Sequence, residues 1–435
     1  MIQPEMNFIE ELTWRGLIQD ITPGLDAYLQ SNKITGYLGA DPTGTSLHIG
    51  NLVPVMMLMH LQRAGHHPVA LVGGATGLIG DPSGKDKERS LMTEEQVAYN
   101  VSCIQAQMAH FLDFEGVPNP ARMVNNYDWF KDMGFIPFLR DVGKYLTVSY
   151  MLSKDSVKKR MESEQGISYT EFAYQLLQGY DYLYMYEHMG VRLQIGGSDQ
   201  WGNILTGTEL IRRKLGGDAF GVTCPLLTRA DGSKFGKTAG GESVWLDAKR
   251  TSPYTFYQYW MNASDEDAYK LIKIFTLKGR EEIEALQAAH LADPGQRSLH
   301  KALADDITRR VHGEAGLQSA LNLTAFHFSK QAPLHQLAQA DWEEVASGPD
   351  RKTLPRENLA AGTGILDVLV QLGVAQSRGD AKRAIEADKS VMVNGVRIES
   401  ADTTIGLDVL FYDRFFQVQR GKKQKYIVEV IHERS

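Results

Sequence analysis

His48 and Asn51 stand three positions apart at the end of a polar run, Asp41-Pro42-Thr43-Gly44-Thr45-Ser46-Leu47-His48-Ile49-Gly50-Asn51. At that spacing both side chains can project from one first helical turn, and both can donate hydrogen bonds. A helix start also offers unpaired backbone N–H groups and the positive end of its dipole, so the group suits phosphate. Further along, Asp231 to Gly241 carries Lys234 and Lys237, two cations three residues apart among glycines. Gly73 to Lys85 brings Asp81 and then Lys85, Lys87 and Arg89, an acid followed by a cationic fringe. That glycine-rich loop is neither a dinucleotide fingerprint, which needs Gly where Ala75 stands, nor a P-loop, which Ile79 and Asp86 exclude. Asp199 and Gln200 follow another Gly-Gly pair, a common place for an acid that holds ribose hydroxyls. Tyr174, Gln178 and Asp181 stand at i, i+4 and i+7: a phenol, an amide and a carboxylate on one helical face. They suit a pocket for a small zwitterion or an ordinary solvent-facing stripe, and spacing alone leaves both open. No nucleophile–base pair stands out. Placed donors and cations suit in-line attack at a phosphoryl group, where charge stabilisation provides most of the acceleration.

The elements between these residues place them together. Ile34 to Ala40 reads as a buried strand, Leu52 to Leu61 as a buried helix stopped at Gly65, and Pro68 to Val72 as a second strand. Strand, helix, strand at this length is a βαβ unit, so the sheet is parallel with a right-handed crossover. Residues 91–165 read as helices with short breaks, including Asn125-Asn126-Tyr127-Asp128-Trp129-Phe130. Thr170 to Tyr186 is helical, Val191 to Ile195 a strand, and Ile204 to Leu215 a helix with Ser198 or Asp199 as its expected cap. Phe220 to Leu227 is another strand, and 252–322 is helical in pattern. Residues 323–362, with Pro333, Pro349 and Pro355, read as a linker or a small irregular element. Two short helices follow, Ile365 to Leu372 and Gly379 to Ala387, and then a hairpin turning at Asn394-Gly395. Each polar loop named above thus falls at a strand-to-helix junction of one sheet, where parallel sheets bind ligands.

At 435 residues the chain calls for two or three domains. With 43% hydrophobic and 23% charged residues it has the composition of a soluble globular protein. No apolar run reaches the roughly 20 residues needed to cross a bilayer, and no secretory signal is visible, so cytoplasmic localisation is expected. Cys103 and Cys224 have no partners at ligand spacing, so neither a zinc site nor a disulfide framework is expected. The net charge of −7 argues against unspecific adhesion to nucleic acid. From Gly364 onward 11 Lys and Arg meet 10 Asp and Glu, leaving this segment at +1 and the rest at −8.

On these residues the chain resembles the class I aminoacyl-tRNA synthetases, and within them the bacterial tyrosyl-tRNA synthetases. His48-Ile49-Gly50-Asn51 is similar to the His-Ile-Gly-His signature of the class, and Lys234-Phe235-Gly236-Lys237-Thr238 to the tyrosyl form of its Lys-Met-Ser-Lys-Ser loop. The likeness runs through Asp41-Pro42-Thr43, the loop 73–85, Gln178-Gly179-Tyr180-Asp181 and Leu193 to Trp201, covering essentially residues 30–260. The end of the chain is similar to an S4-type RNA-binding domain. The resemblance implies an α/β architecture: a Rossmann-like parallel-sheet catalytic domain over 1–250, with a helical insertion at about 110–165. An α-helical, anticodon-binding domain over 251–325, a linker over 326–362 and a small α+β S4-like domain over 363–435 would follow.

It further implies ATP-dependent ligation of L-tyrosine to tRNA(Tyr) through tyrosyl-adenylate, with release of pyrophosphate and AMP. Mg2+ would arrive with ATP, and the protein would be a homodimer with no membrane attachment. By motif, Tyr37 and Asp181 would bind the phenol, Asp81, Tyr174 and Gln178 the amino group, and Gln200 the carboxyl end of tyrosine. Asp41, Gly50, Gly197, Asp199 and Lys237 would bind ATP, with Gly197 and Asp199 at the ribose. Thr43, His48, Asn51, Lys85, Arg89, Lys234, Lys237 and Thr238 would act on the phosphates. Arg378, Lys382, Arg383 and Lys389 would bind RNA. Two departures stand out: Asn51 replaces the second signature His but still donates, and Leu38 stands where several relatives carry Cys. The rival readings are a related class I enzyme such as a tryptophanyl-type synthetase, and an RNA-binding protein with a degenerate catalytic half. Asp181 beside Tyr37 speaks for a phenol over an indole, and the intact lysine pair speaks against degeneracy.

Overall fold

Short apolar runs become strands and the longer run between them becomes a helix buried on nearly every side, because a central position leaves it no solvent face. The computed structural model describes residues 7–83, 91–162, 166–238, 240–329, 334–360, 362–421 and 424–432. In chain order the first part contains α1 (Phe8–Arg15), β1 (Asp20–Ile21), β2 (Thr35–Ala40), α2 (Ile49–Arg63), β3 (His67–Val72) and β4 (Arg122–Asn125). It continues with α3 (Tyr169–Met189), β5 (Val191–Gly197), α4 (Trp201–Leu215), β6 (Phe220–Cys224), α5 (Asp265–Phe275) and α6 (Arg280–Ala292). The strands form one sheet in the order β1-β6-β5-β2-β3-β4, with β1 antiparallel to β6 and every other pairing parallel. The order reverses between β2 and β5, so the crevice for a ligand opens at their carboxyl ends. Leu52, Val55, Met56, Met57 and Leu58 of α2 are buried, which makes this helix the centre of the fold.

The chain divides into two units, Met1–Gly313 and Glu314–Ser435. The helix Ser298–Phe328 runs across that boundary, and Gly313 interrupts it with φ 71° and ψ −179°. In the second unit the strands are β7 (Arg351–Pro355), β8 (Val391–Val393), β9 (Val396–Arg397), β10 (Phe415–Arg420) and β11 (Gln424–Ile431). They pair in the order β9-β8-β10-β11-β7, with α7 (Ile365–Gln371) and α8 (Arg378–Glu386) contributing Ile365, Val368, Leu369, Ala384 and Ile385 to the core beneath. The hairpin between β8 and β9 turns where expected, at Asn394 (φ 49°) and Gly395 (φ 77°), the pair of left-handed residues that a type I′ turn needs.

Four local expectations differ from what is observed. The stretch 91–165 also supplies a strand, β4 at the sheet edge, because Met123 and Val124 pair with Ala70 and Leu71. Neither Ser198 nor Asp199 caps α4; both lie in a 3₁₀ turn, Ser198–Gln200, and Gln200 is the residue before the helix. The stretch expected as a separate helical domain, 251–325, falls in both units, its residues up to Gly313 in the first and those from Glu314 in the second. Its earlier part is bonded into the first unit: the buried Arg15 guanidinium donates to the carbonyls of Lys273, Thr276 and Lys278 at 2.5, 2.8 and 2.6 Å. The stretch expected as a linker contains a helix, Gln339–Ala346, and β7, which runs parallel to β11. Its order comes from that distant strand and from Trp342, buried against Phe411 and Phe415, neither of which local composition reveals.

Candidate active site

The end of α2 is organised by its own polar residues. His48 Nδ1 accepts from the Gly50 amide at 3.1 Å, and Asn51 Oδ1 accepts from the His48 amide at 3.1 Å, a reciprocal capping box. Both residues therefore use an acceptor on the helix start. With Nδ1 accepting, the neutral imidazole carries its proton on Nε2, so that nitrogen is the ring's donor. Thr43 is exposed in the turn after β2, its amide bonded to the Asp41 carbonyl at 2.8 Å.

The lysine loop lies over this helix start although it is far away in the chain. The Ile49 amide donates to the Val244 carbonyl at 3.0 Å, Val244 donates to Gly236 at 3.0 Å, and Leu246 donates to Leu47 at 2.9 Å. Gly236 has φ 88°, a left-handed conformation that favours glycine at this point of the loop. Phe235 anchors the loop by stacking on Phe275 at 5.5 Å, while the Lys234 and Lys237 side chains stay exposed. Lys237 Nζ donates to Ser243 Oγ at 2.9 Å, and Thr238 Oγ1 accepts from the Glu242 amide at 3.2 Å.

A buried polar network occupies the other side of the crevice. Tyr174 and Asp181 on α3 are only 4% and 3% exposed, which excludes the solvent-stripe reading. Tyr174 donates to Asp41 Oδ2 at 2.7 Å, and Thr76 donates to Asp41 Oδ1 at 2.7 Å. Asp41 thus joins the end of β2 to α3 on the Tyr174 side. Asp181 accepts from Asn126 Nδ2 at 3.0 Å and from Trp129 Nε1 at 2.8 Å. Burial pushes its carboxyl up to about 8, against the two donors that favour the charged form and with the Asp41 charge adding to the rise. The Tyr37 hydroxyl is buried without a hydrogen-bond partner among the described residues. Burial and then the Asp181 charge hold this phenol well above its ordinary range, so it stays protonated. Nearer the β5 end, Asp81 accepts from Gln200 Nε2 at 2.7 Å, and Asn203 Nδ2 donates to Gln178 Oε1 at 3.0 Å. Gly197 ends β5 and Asp199 is exposed beside it.

Asn126, Trp129, Asn203 and Thr76 were not singled out from the sequence. The first two lie directly after β4, and polar residues at a strand's carboxyl end would have marked them had that strand been recognised. Lys85 and Arg89 lie outside the described residues. In the second unit Arg378, Lys382 and Arg383 are on α8, exposed, and each near an acid: Asp367 at 3.4 Å, Glu386 at 3.9 Å and Asp380 at 3.4 Å. Exposed pairs at such distances leave the cations available to a stronger anion. Lys389 follows the helix with φ 48°. Arg420 donates to Asp380 at 2.9 and 2.8 Å, a structural pair that holds this carboxyl well below the usual range.

Asp265, His290 and His300 bring three possible metal-ligand atoms within 4.8 Å of one another. His300 Nε2 meets the Ala263 carbonyl at 3.1 Å, and Arg297 donates to that carbonyl at 3.2 Å. A ring nitrogen bonded to a carbonyl carries its proton and is not a ligand, so the trio ties helix ends together.

The family model for class I tRNA synthetases (W and Y) matches residues 29–329, and that for the tyrosine–tRNA ligase SYY-like C-terminal domain matches 347–428. The tyrosine–tRNA ligase of Porphyromonas gingivalis is 51% identical over 431 residues, covering 98% of this chain and 100% of that protein. The tyrosine–tRNA ligase of Cytophaga hutchinsonii is 50% identical over 427 residues, covering 97% and 99%. Among solved structures, a C-terminally truncated mitochondrial tyrosyl-tRNA synthetase from Aspergillus nidulans superposes with a TM-score of 0.68 at 28% identity, over 74% of this chain and 94% of that one. The corresponding Coccidioides posadasii structure gives 0.64 at 30% identity, over 72% and 91%. A crevice that joins a capped helix start, a lysine loop and a buried phenol–carboxylate pocket thus accompanies likeness along both parts of the sequence, and the chain belongs to the tyrosine–tRNA ligases of class I.

Proposed function

We propose that the chain activates L-tyrosine with ATP and transfers it to tRNA(Tyr), using the crevice at the carboxyl ends of β2, β3 and β5. The meeting of the 234–238 loop with the start of α2 carries this reading, because it gathers phosphate donors at one end of a pocket that closes on Asp181 at the other. In the first step an oxygen of the tyrosine carboxylate attacks the α-phosphorus of ATP, and the bond to the bridging oxygen of pyrophosphate breaks. The donors act on charge that grows on the leaving pyrophosphate: His48 Nε2–H, the Asn51 amide, Thr43, Lys234, Lys237 and Thr238, with Lys85 and Arg89 included on the sequence alone. Mg2+ enters with ATP and neutralises part of the phosphate charge.

The tyrosine hydroxyl meets Tyr37 and Asp181, and the unpartnered Tyr37 hydroxyl supports this placement, since a buried hydroxyl calls for a partner. Asp81, Tyr174 and Gln178 receive the ammonium group and Gln200 lies at the carboxyl end. Asp41 acts here by orienting Tyr174, while Gly50 and Lys237 meet the ATP phosphates and Gly197 and Asp199 its ribose. In the second step a ribose hydroxyl of tRNA attacks the adenylate carbonyl and AMP leaves. The cations of α8, with Lys389, contact tRNA phosphates. A homodimer is supported by the helix Phe135–Asp141, which exposes Phe135 (63%) and Ile136 (70%), an apolar face that pairing would cover. No helix among the described residues is long and apolar enough to cross a membrane, and we place the protein in the cytoplasm.

ATP–pyrophosphate exchange with each of the twenty amino acids tests the reading. Exchange should depend on tyrosine alone; exchange with tryptophan, or none with tyrosine, would overturn it.

A further inference from the structure

The segment after the lysine loop touches His48 through a side chain that the proposed chemistry leaves unused. His48 and Trp245 face each other across an antiparallel bridge, closed by the hydrogen bonds from Ile49 to Val244 and from Leu246 to Leu47. Side chains alternate along such a segment. Val244 and Leu246 are buried, at 0% and 5% exposure, and anchor it to the core, whereas Trp245 between them is only partly buried. Its indole meets the His48 imidazole edge to face, with ring centres 5.9 Å apart and planes at 69°. The Arg250 guanidinium lies over the same indole, 3.3 Å from the ring centre. The turn that brings it there is closed by Thr251, whose hydroxyl accepts from the Trp245 amide at 3.0 Å and whose amide donates to the Asp247 carbonyl at 3.0 Å. The Asp247 amide in turn donates to Ser46 Oγ at 3.1 Å, so this turn is tied to the chain just before His48.

One hydrogen bond fixes one atom of a ring and leaves the plane of the ring free. His48 Nδ1 is held by the Gly50 amide at 3.1 Å, and rotation about that contact would still swing Nε2 through an arc. The indole supplies a second contact, and an edge-to-face pair has a preferred angle. The cation over the indole holds that ring in its own place. Anchoring the segment does not call for a tryptophan here, because the two flanking residues already do it. A donor stabilises a transition state only as far as it is aimed at the place where charge grows, so the plane of the imidazole matters to the reaction.

We propose that Trp245 is a positioning residue for adenylate formation: it sets the plane of the His48 imidazole, so that the Nε2–H donor is held toward the departing pyrophosphate. The inference rests on the reading of this chain as a tyrosine-activating enzyme. Trp245 acts through His48 and not on a substrate, so its effect on the reaction exists only while that imidazole is present.

The test is a double-mutant cycle in the full-length protein, read by pyrophosphate exchange with tyrosine and ATP varied in turn. Trp245→Leu should lower kcat roughly threefold to tenfold, the worth of one aromatic pair, and leave KM for tyrosine and for ATP unchanged. Trp245→Phe, which keeps a ring, should recover most of that loss. His48→Gly removes the imidazole and keeps a residue that a helix start tolerates. In that background Trp245→Leu should leave kcat where His48→Gly alone puts it. A loss by the same factor with and without His48 overturns the proposal, since a merely structural indole would be felt in either background. An unchanged kcat in Trp245→Leu overturns it as well. So does a rise in KM for either substrate, which would make the indole part of a binding surface, and so does a loss that Trp245→Phe fails to recover. Failure of the functional reading is distinguishable, because the wild type would then show no tyrosine-dependent exchange.

Discussion

The two ends of the crevice are built in opposite ways. At the end proposed for tyrosine the Asp181 carboxyl group is 3% exposed, and each of its oxygens is held by a side chain, Asn126 on one and Trp129 on the other. At the end proposed for the nucleotide Lys234 and Lys237 are exposed, and a backbone hydrogen bond between 244 and 236 helps to hold their loop. Under the proposed function the contrast follows from what each end would have to sense. Tyrosine differs from phenylalanine by one hydroxyl, and a hydroxyl matters only where its absence leaves a desolvated group unpaired. A triphosphate carries charge enough to be recognised in water, and cations on a glycine-rich loop can follow that charge as the leaving group departs.

The lysine loop gives the strongest way to break this comparison. Lys237→Ala should lower kcat for pyrophosphate exchange about 100-fold or more, as removal of one placed donor does, with tyrosine affinity unchanged. A comparable weakening of tyrosine binding would show that the two ends do not work separately. Asp181→Asn should do the reverse, reducing kcat/KM for tyrosine roughly tenfold to a hundredfold, the effect of an altered buried hydrogen-bonding partner, while KM for ATP stays put. Steady-state exchange with each substrate varied in turn distinguishes the two patterns. Trp129→Phe removes one of the two donors to Asp181 and keeps the ring. We expect a few-fold rise in KM for tyrosine, in keeping with about 1 kcal/mol for one hydrogen bond.

The smallest expected effect concerns pH. Asp181 titrates at about 8 in the folded protein and roughly 3.9 in the unfolded chain, so the unfolded state gives up its proton first. Its contribution therefore favours the fold below pH 4 and is lost as pH rises toward 8. Melting curves at pH 5 and pH 8 should show a smaller loss of Tm in Asp181→Asn than in the wild type; an equal loss would mean that Asp181 is not desolvated.

Much of the geometry at the end proposed for the nucleotide could be read directly, because its causes are local. His48 and Asn51 cap the helix they begin, and the lysine pair sits in one short loop, so spacing alone indicates what they offer. The pocket could be read only on one of its walls. Tyr174, Gln178 and Asp181 share a helical face, yet nothing in that periodicity tells a buried face from a wet one until the sheet is laid beside it. The donors that complete this polar network arrive just after β4 and on α4, from segments whose partners lie far away in the chain. The same limit explains β7, whose strand character depends on pairing with β11.

What the sequence determined by itself was the set of elements with local causes: the βαβ core, the helix start with its cap, the hairpin at Asn394-Gly395 and the residue types able to handle phosphate. The tertiary structure alone decided which polar groups lose their water and which keep it. Desolvation is a property of everything packed around an atom, so neighbours in space, not neighbours in the chain, decide whether Asp181 is a selective pocket wall or a surface acid.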